Sequence, residues 1–116
     1  MLGLYGQIDV SQEDLKAALT RQALALCTER IAIGSPPVPR HMLQSVQVQL
    51  EWLLEFYEGR STDRAKLSQL TFGHIAAREI EGTDPALAGA LHKAYYAASR
   101  TAAGLKLDMA VLGLEA

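Results

Sequence analysis

Cysteine is almost absent from this chain: Cys27 is the single one in 116 residues. No internal disulfide can form and no thiolate metal cage can be assembled, a usage that fits the reducing cytoplasm. An excess of either charge is missing too. Against 11 lysines and arginines stand 13 acids, a formal charge of −2, which supplies no field for gathering phosphates and excludes nucleic acid as the expected partner. Hydrophobic residues make up 49% of the chain, yet the apolar runs are short and broken by charge. None approaches the roughly 20 apolar residues that cross a bilayer, so no membrane partner is expected. Met1 is followed by Leu-Gly-Leu-Tyr-Gly, without the basic start, apolar stretch or small-residue cleavage pattern of a secretion signal. The expectation is one soluble, cytoplasmic, helical domain over residues 1–116. A chain of this length hides roughly two thirds of its unfolded surface, enough for one core.

What is present is helical periodicity with legible punctuation. The first helix is expected from Ser11, an N-cap followed by Gln12, Glu13 and Asp14, to about Ile33, with Gly34 as its stop. Proline is sparse, at 4 residues, and three of them stand in SPPVP, residues 35–39. That stretch is a rigid connector, because proline removes backbone donors and forces extended geometry on its neighbours. A second helix follows from about Arg40 to Glu58, ending at Gly59. A third runs from Ser61 or Thr62 to about Glu81, ending at Gly82. Asp84-Pro85 then opens a fourth, with the carboxylate as cap and proline at the first helical position, reaching about Ala103 before Gly104. Short connections place consecutive helices antiparallel. The predicted fold is all-α, an up-and-down four-helix bundle. Leu2, Leu4, Ile8 and Val10 before it, and Leu105, Leu107, Met109 and Val111 after it, alternate with period two. These ends either pair as a short β-ribbon or pack as coil.

Each helix has a face to account for. On the third, Ala65, Leu70, Phe72, Gly73, Ala76, Ala77 and Ile80 share an apolar side, opposite Thr71, His74, Arg78 and Glu81. His74 and Arg78 therefore read as a solvated strip, with Arg78 able to meet Glu81. Gly73 on the apolar side costs helix stability and suggests a close crossing by another helix, although a tolerated glycine explains it equally. On the fourth helix, Leu87, Ala90, Leu91, Ala94 and Ala98 face inward, with His92, Lys93, Tyr96 and Arg100 outside. The second helix breaks the pattern. Leu43, Val46, Leu50, Leu53, Leu54 and Tyr57 form a core stripe, while Val48, Trp52 and Phe56 form a second apolar ridge beside the polar strip of Gln44, Gln47, Glu51, Glu55 and Glu58. Such a helix either lies between two neighbours or offers one side to another chain, and aromatic residues tend to anchor that kind of contact. Glu51 and Glu55 along the ridge favour a basic partner surface. The first helix is apolar nearly all round, which points to a homodimer.

The chemistry-bearing patterns are weak by comparison. No Glu-x-x-His pair is present for a bundle di-iron centre. Glu55 and Glu58 with Glu81 and Asp84 resemble the acidic spacing of all-helical, metal-dependent nucleotide pyrophosphohydrolases, but Gly82 and the Asp84-Pro85 start put the second pair across a loop. His41, His74 and His92 would have to converge from three helices to hold zinc. Cys27 lies in an apolar helix with no adjacent histidine, the setting of an inert buried thiol. No catalytic residue, metal site or cofactor is expected.

The stretch LSQLTFGHIAAREIE, residues 67–81, resembles part of the small helical immunity proteins that neutralise toxins of bacterial type VI secretion. Leu67, Gln69, Leu70 and Gly73 stand at that family's spacing, followed by Ala76, Ala77 and Glu79. The resemblance implies a short, acidic, dimeric helical protein in the bacterial cytoplasm that masks a toxin surface, with Glu79 and Glu81 as candidate contacts. The combined expectation is a protein-binding module, an immunity or inhibitor protein, using Val48, Trp52, Phe56, Glu51, Glu55, Glu79 and Glu81. The alternatives are the small pyrophosphohydrolase and a homo-oligomeric assembly or regulatory subunit.

Overall fold

A computed structural model describes residues 2–113, with side chains from Gln12 onward. Three long helices frame the protein: α1 (Leu2–Ile31), α2 (Arg40–Tyr57) and α4 (Pro85–Ala102). Between α2 and α4 the chain forms a 3₁₀ helix, Arg64–Gln69, then the short α3 (Phe72–Ile75), which continues into a π turn, Ala76–Ile80. The all-helical expectation holds. Among the described residues there is no strand.

The punctuation is realised most fully at α4. Asp84 caps it, its carboxylate accepting from the Leu87 N–H at 3.2 Å, with Pro85 in the first turn. At the other end Gly104 adopts φ 71°, the Leu105 N–H donates to the Arg100 carbonyl at 2.8 Å and the Gly104 N–H to Thr101 at 3.1 Å. That pair of bonds closes a helix whose next residue must turn left-handed, which glycine does without steric cost. Helix α2 ends the same way: Gly59 has φ 80°, Arg60 N–H reaches the Glu55 carbonyl and Gly59 N–H reaches Phe56.

Helix α1 differs from expectation at both ends. It begins at Leu2, so Ser11 lies within it, and it ends at Ile31, short of Gly34. Gly34 is not left-handed. The orphan carbonyls at this end are instead met by Arg40 from the start of α2, with Nη2 to Ile33 O at 2.7 Å and Nε to Ile31 O at 3.3 Å. The proline connector is thus clasped, and its Val38 is buried in the core. Because residues 2–10 belong to α1, the proposed ribbon has no first strand. Residues 103–113 form turns and coil, in which Leu107 and Leu112 are buried against Leu19 and Ala97 while Leu105 and Val111 stay exposed.

The expected third helix is broken in two. The single apolar side expected of it was too broad for one helix, since Leu70 and Phe72 would lie about 200° apart at about 100° per residue, yet both are buried. The break resolves that conflict: Leu70 is extended at φ −68°, ψ 136°, and a new helix starts at Phe72. Gln49 of α2 makes this possible. Its Oε1 accepts from the Thr71 N–H at 2.7 Å and the Phe72 N–H at 3.0 Å, and its Nε2 donates to Thr71 Oγ1 at 2.9 Å. The break also turns Ala65 and Ala77 outward, so both are exposed rather than facing the core. Gly73 meets the close crossing that its position suggested: a methyl there would overlap the ring of Tyr95 on α4. That ring also packs edge-on against Phe72, with centroids 5.2 Å apart.

The main core combines Leu43, Val46, Leu50 and Leu53 of α2 with Phe72, Ile80, Leu87 and Leu91, and with Ala23 and Cys27 of α1. Residues 12–31 of α1 are less apolar outside than the sequence suggested. Their exposed positions are Glu13, Asp14, Ala18, Arg21, Gln22, Ala25, Thr28 and Glu29, and no large hydrophobic residue is exposed there.

Candidate partner-binding surface

The ridge on α2 slants. Positions four apart advance by about 40° around a helix, so a line through Val48, Trp52 and Phe56 winds from the open face toward the 3₁₀ segment. Val48 is 64% exposed. Trp52 and Phe56 are half-buried and pack on the main core, with ring centroids 5.5 Å apart. Lys66 of the 3₁₀ helix sets its ammonium 5.1 Å from the Trp52 ring centroid. One subunit therefore covers much of the aromatic part of the ridge and leaves Val48 outside. Leu54, expected in the core stripe, is half-buried.

Glu51 and Glu55 are exposed beside Val48. Neither joins an ion pair among the described residues, whereas Glu58 is held by Arg21 at 3.2 Å and Arg60 at 2.7 Å. The unpaired acids keep an outward field that the third acid has lost. Glu79 is exposed on the π turn and lines a shallow groove with Thr71, His74, Ile75 and Arg78. Glu81, also exposed, pairs with His92 Nε2 at 2.9 Å rather than with Arg78. His74 is exposed and places its ring edge-on to Tyr95, 5.8 Å between centroids. The structure thus separates the expected site residues into Val48, Glu51 and Glu55 on α2, Trp52 and Phe56 under the 3₁₀ segment, and Glu79 and Glu81 around the π turn.

Of the four carboxylates of the hydrolase alternative, Glu58, Glu81 and Asp84 are bound to different cations and Glu55 is unpaired among the described residues. Arg30 of α1 donates Nε to Asp84 Oδ2 at 2.7 Å, and this hydrogen bond, aided by the Leu87 N–H and opposed by burial, holds the Asp84 carboxyl below its ordinary range. Glu58 serves Arg21 and Arg60, and Glu81 serves His92. Among the described residues, no group of three or more His, Cys, Asp or Glu side chains is placed to hold a metal ion. Cys27 is buried and donates to the Leu43 carbonyl at 3.2 Å. Burial, with Glu51 adding to it, pushes its thiol up to about 11. No described helix is long and apolar enough to cross a membrane.

Sequence reading missed Gln49, which looked like one more polar residue on α2, and Tyr95. Gly73 signalled a close neighbour without identifying it. The tyrosine's place opposite was not readable from spacing, because α3 begins at an unanticipated phase.

Charged side chains tie together the helices of a small all-helical protein, beside an open strip of acids unpaired among the described residues. The chain belongs to the Tsi6 family, whose family model matches residues 16–100. It is 42% identical over 89 residues to a protein described as immune protein Tsi6 of Pseudomonas aeruginosa, covering 76% of this chain and 90% of the relative. Its fold matches a chain in a solved structure described as Tse6 in complex with Tsi6, with TM-score 0.70 and 39% identity, over 80% of this chain and 96% of that one. The resemblance seen in residues 67–81 to the helical immunity proteins thereby holds for most of the chain.

Proposed function

We propose that this chain is a cytoplasmic immunity protein that binds a toxin of the Tse6 kind and covers its working surface, with no bond made or broken. The observation that carries this is the family relationship over residues 16–100, together with a relative described as an immune protein and a fold match to a complex containing Tsi6. The contact surface we favour is the outer strip of α2, with Val48 as the apolar knob and Glu51 and Glu55 as its border, extended by Glu79 and Glu81 on the π turn. Unpaired acids beside an exposed apolar residue suit a basic surface, speed encounter and fix register. Trp52 and Phe56 support the strip from beneath, so truncating them tests folding as much as binding.

The homodimer expected from α1 finds no support on residues 12–31, and we assign α1 no contact in the complex. The test is capture of the purified toxin from the same genome by the chain and by Val48→Asp and Glu51→Lys/Glu55→Lys variants, each checked for native helicity. We expect tight binding by the parent chain and loss of about tenfold or more for each variant, since an anchor or a close charge pair is commonly worth 1.4 kcal/mol or more. No capture by the parent chain would overturn the immunity reading. Full capture by both variants would overturn only the α2 surface.

A further inference from the structure

A cleft of about 360 Å³ opens where the turns after α4 meet α1, α2 and the 3₁₀ helix. We propose that it binds a small organic anion, a carboxylate with a short apolar body. The cations come from three separate elements: Lys16 of α1, Arg64 of the 3₁₀ helix and Lys106 after α4, against the single acid Glu13. Lys16 is the informative one. Its side chain is only 9% exposed, yet among described residues its ammonium has one partner, Glu13 Oε1 at 3.0 Å. An ammonium carries three donors, and a buried cation left with unfilled donors is costly unless something in the cleft accepts from it. Glu13 itself is 62% exposed, so water screens it and it neutralises the cleft weakly.

Arg64 is fixed rather than free-swinging, because Nη2 donates to the Thr101 carbonyl at 2.7 Å. That bond also covers the negative end of α4 and leaves the other guanidinium N–H groups for a ligand. Lys106 forms no ion pair among the described residues. Phe56 and Leu105 supply the apolar wall, which selects an anion with a hydrocarbon portion over a bare inorganic ion. The volume lies at the small end of ligand sites, about 300–1,000 Å³. Gln12, Glu13, Thr101, Gly104, Leu105 and Lys106 line the cleft from outside residues 16–100. Lys16, Phe56 and Arg64 complete it from within those residues, and none of the lining residues belongs to the toxin-binding strip of Val48, Glu51, Glu55, Glu79 and Glu81 proposed above.

The experiment is a ¹H–¹⁵N NMR titration of the full chain with sodium hexanoate, with hexanamide and sodium chloride as controls. Saturable shifts are expected at the amides of Lys16, Thr101, Gly104, Leu105 and Lys106 with hexanoate alone. Lys106→Gln, a surface change, and Lys16→Met, which keeps the apolar stem, are each expected to weaken binding about tenfold, the value of one charge-assisted hydrogen bond. Non-saturating shifts, the same shifts with hexanamide or sodium chloride, or unchanged affinity in both folded variants would each overturn the proposal.

Discussion

Replacing Asp84 removes two supports at once. The carboxylate caps α4 through the Leu87 N–H and receives Arg30 from α1 at 2.7 Å, with side chains 10% and 20% exposed. Loss of a cap costs about 1 kcal/mol. An ion pair of this partial burial falls between the surface value of ~0.2–1 kcal/mol and the ~3–5 kcal/mol of a fully buried pair, and Arg30 retains Glu29 at 2.7 Å as a second, exposed partner. We therefore expect ~2–3 kcal/mol for Asp84→Ala, a fall of roughly 8–15 °C in Tm for a domain near this size. Asp84→Asn keeps the cap and should lose only ~1–2 kcal/mol, the share assigned to the pair.

The pH dependence has a definite sign. Arg30 lowers the folded pKa of Asp84 below its unfolded value, so the associated stability is fully present above the unfolded pKa of about 3.9. It is lost as pH falls through the lower folded pKa. Urea unfolding followed by circular dichroism should show a constant gap between the parent chain and Asp84→Asn from pH 5 to pH 7, narrowing below about pH 4. A double-mutant cycle with Arg30→Met should return a coupling of ~1–2 kcal/mol. Additivity within ~0.3 kcal/mol, or a gap unchanged at pH 3, would refute the assignment of stability to this pair.

Other consequences follow from single contacts. Gly73→Ala should destabilise by ~1–3 kcal/mol despite its gain in helix propensity, because the methyl meets the Tyr95 ring, and Tyr95→Leu should recover part of the loss in urea unfolding. Gln49→Ala should cost ~1–2 kcal/mol and accelerate hydrogen exchange at the Thr71 and Phe72 amides. Gln49→Glu, which keeps the acceptor and lets the Thr71 hydroxyl donate, should lose much less. With its pKa raised to about 11, Cys27 should be thiolate in roughly one molecule in 10,000 at pH 7 and resist a thiol reagent until the protein unfolds in urea.

The parts of the fold readable in sequence are those whose cause is local. Asp84-Pro85, Gly59 and Gly104 act through their own dihedral angles and nearest hydrogen bonds, and α2 and α4 fall within a residue of where those signals put them. The third helix fails because its cause is remote. Gln49 lies 22 residues before Thr71, and nothing in the spacing of residues 61–81 announces that a side chain on α2 will start a new helix there. The same limit applies to the candidate surface. The apolar excess of α2 was visible as a pattern, but whether Trp52 and Phe56 face a partner or their own chain depended on where the 3₁₀ segment crosses. Ser11 misled because a good cap residue also tolerates a helix interior when the chain before it is itself helical.

How the charges are distributed bears on the binding role proposed above. Arg30 joins α1 to the start of α4, Arg40 closes the end of α1, Arg64 covers the last carbonyls of α4, and Arg21 ties α1 to the end of α2. These contacts hold the helix ends, where fraying would otherwise blur the surface. Gln49 does the same for α3. The backbone that carries the outer strip of α2 therefore sits on a frame held at both ends. Under the proposed function, a backbone fixed in advance loses less free energy to ordering on association, which suits a modest strip of one apolar knob and a few unpaired acids. On that argument, variants that loosen the frame without touching the strip, such as Gln49→Ala, should weaken capture even where the folded fraction stays near one.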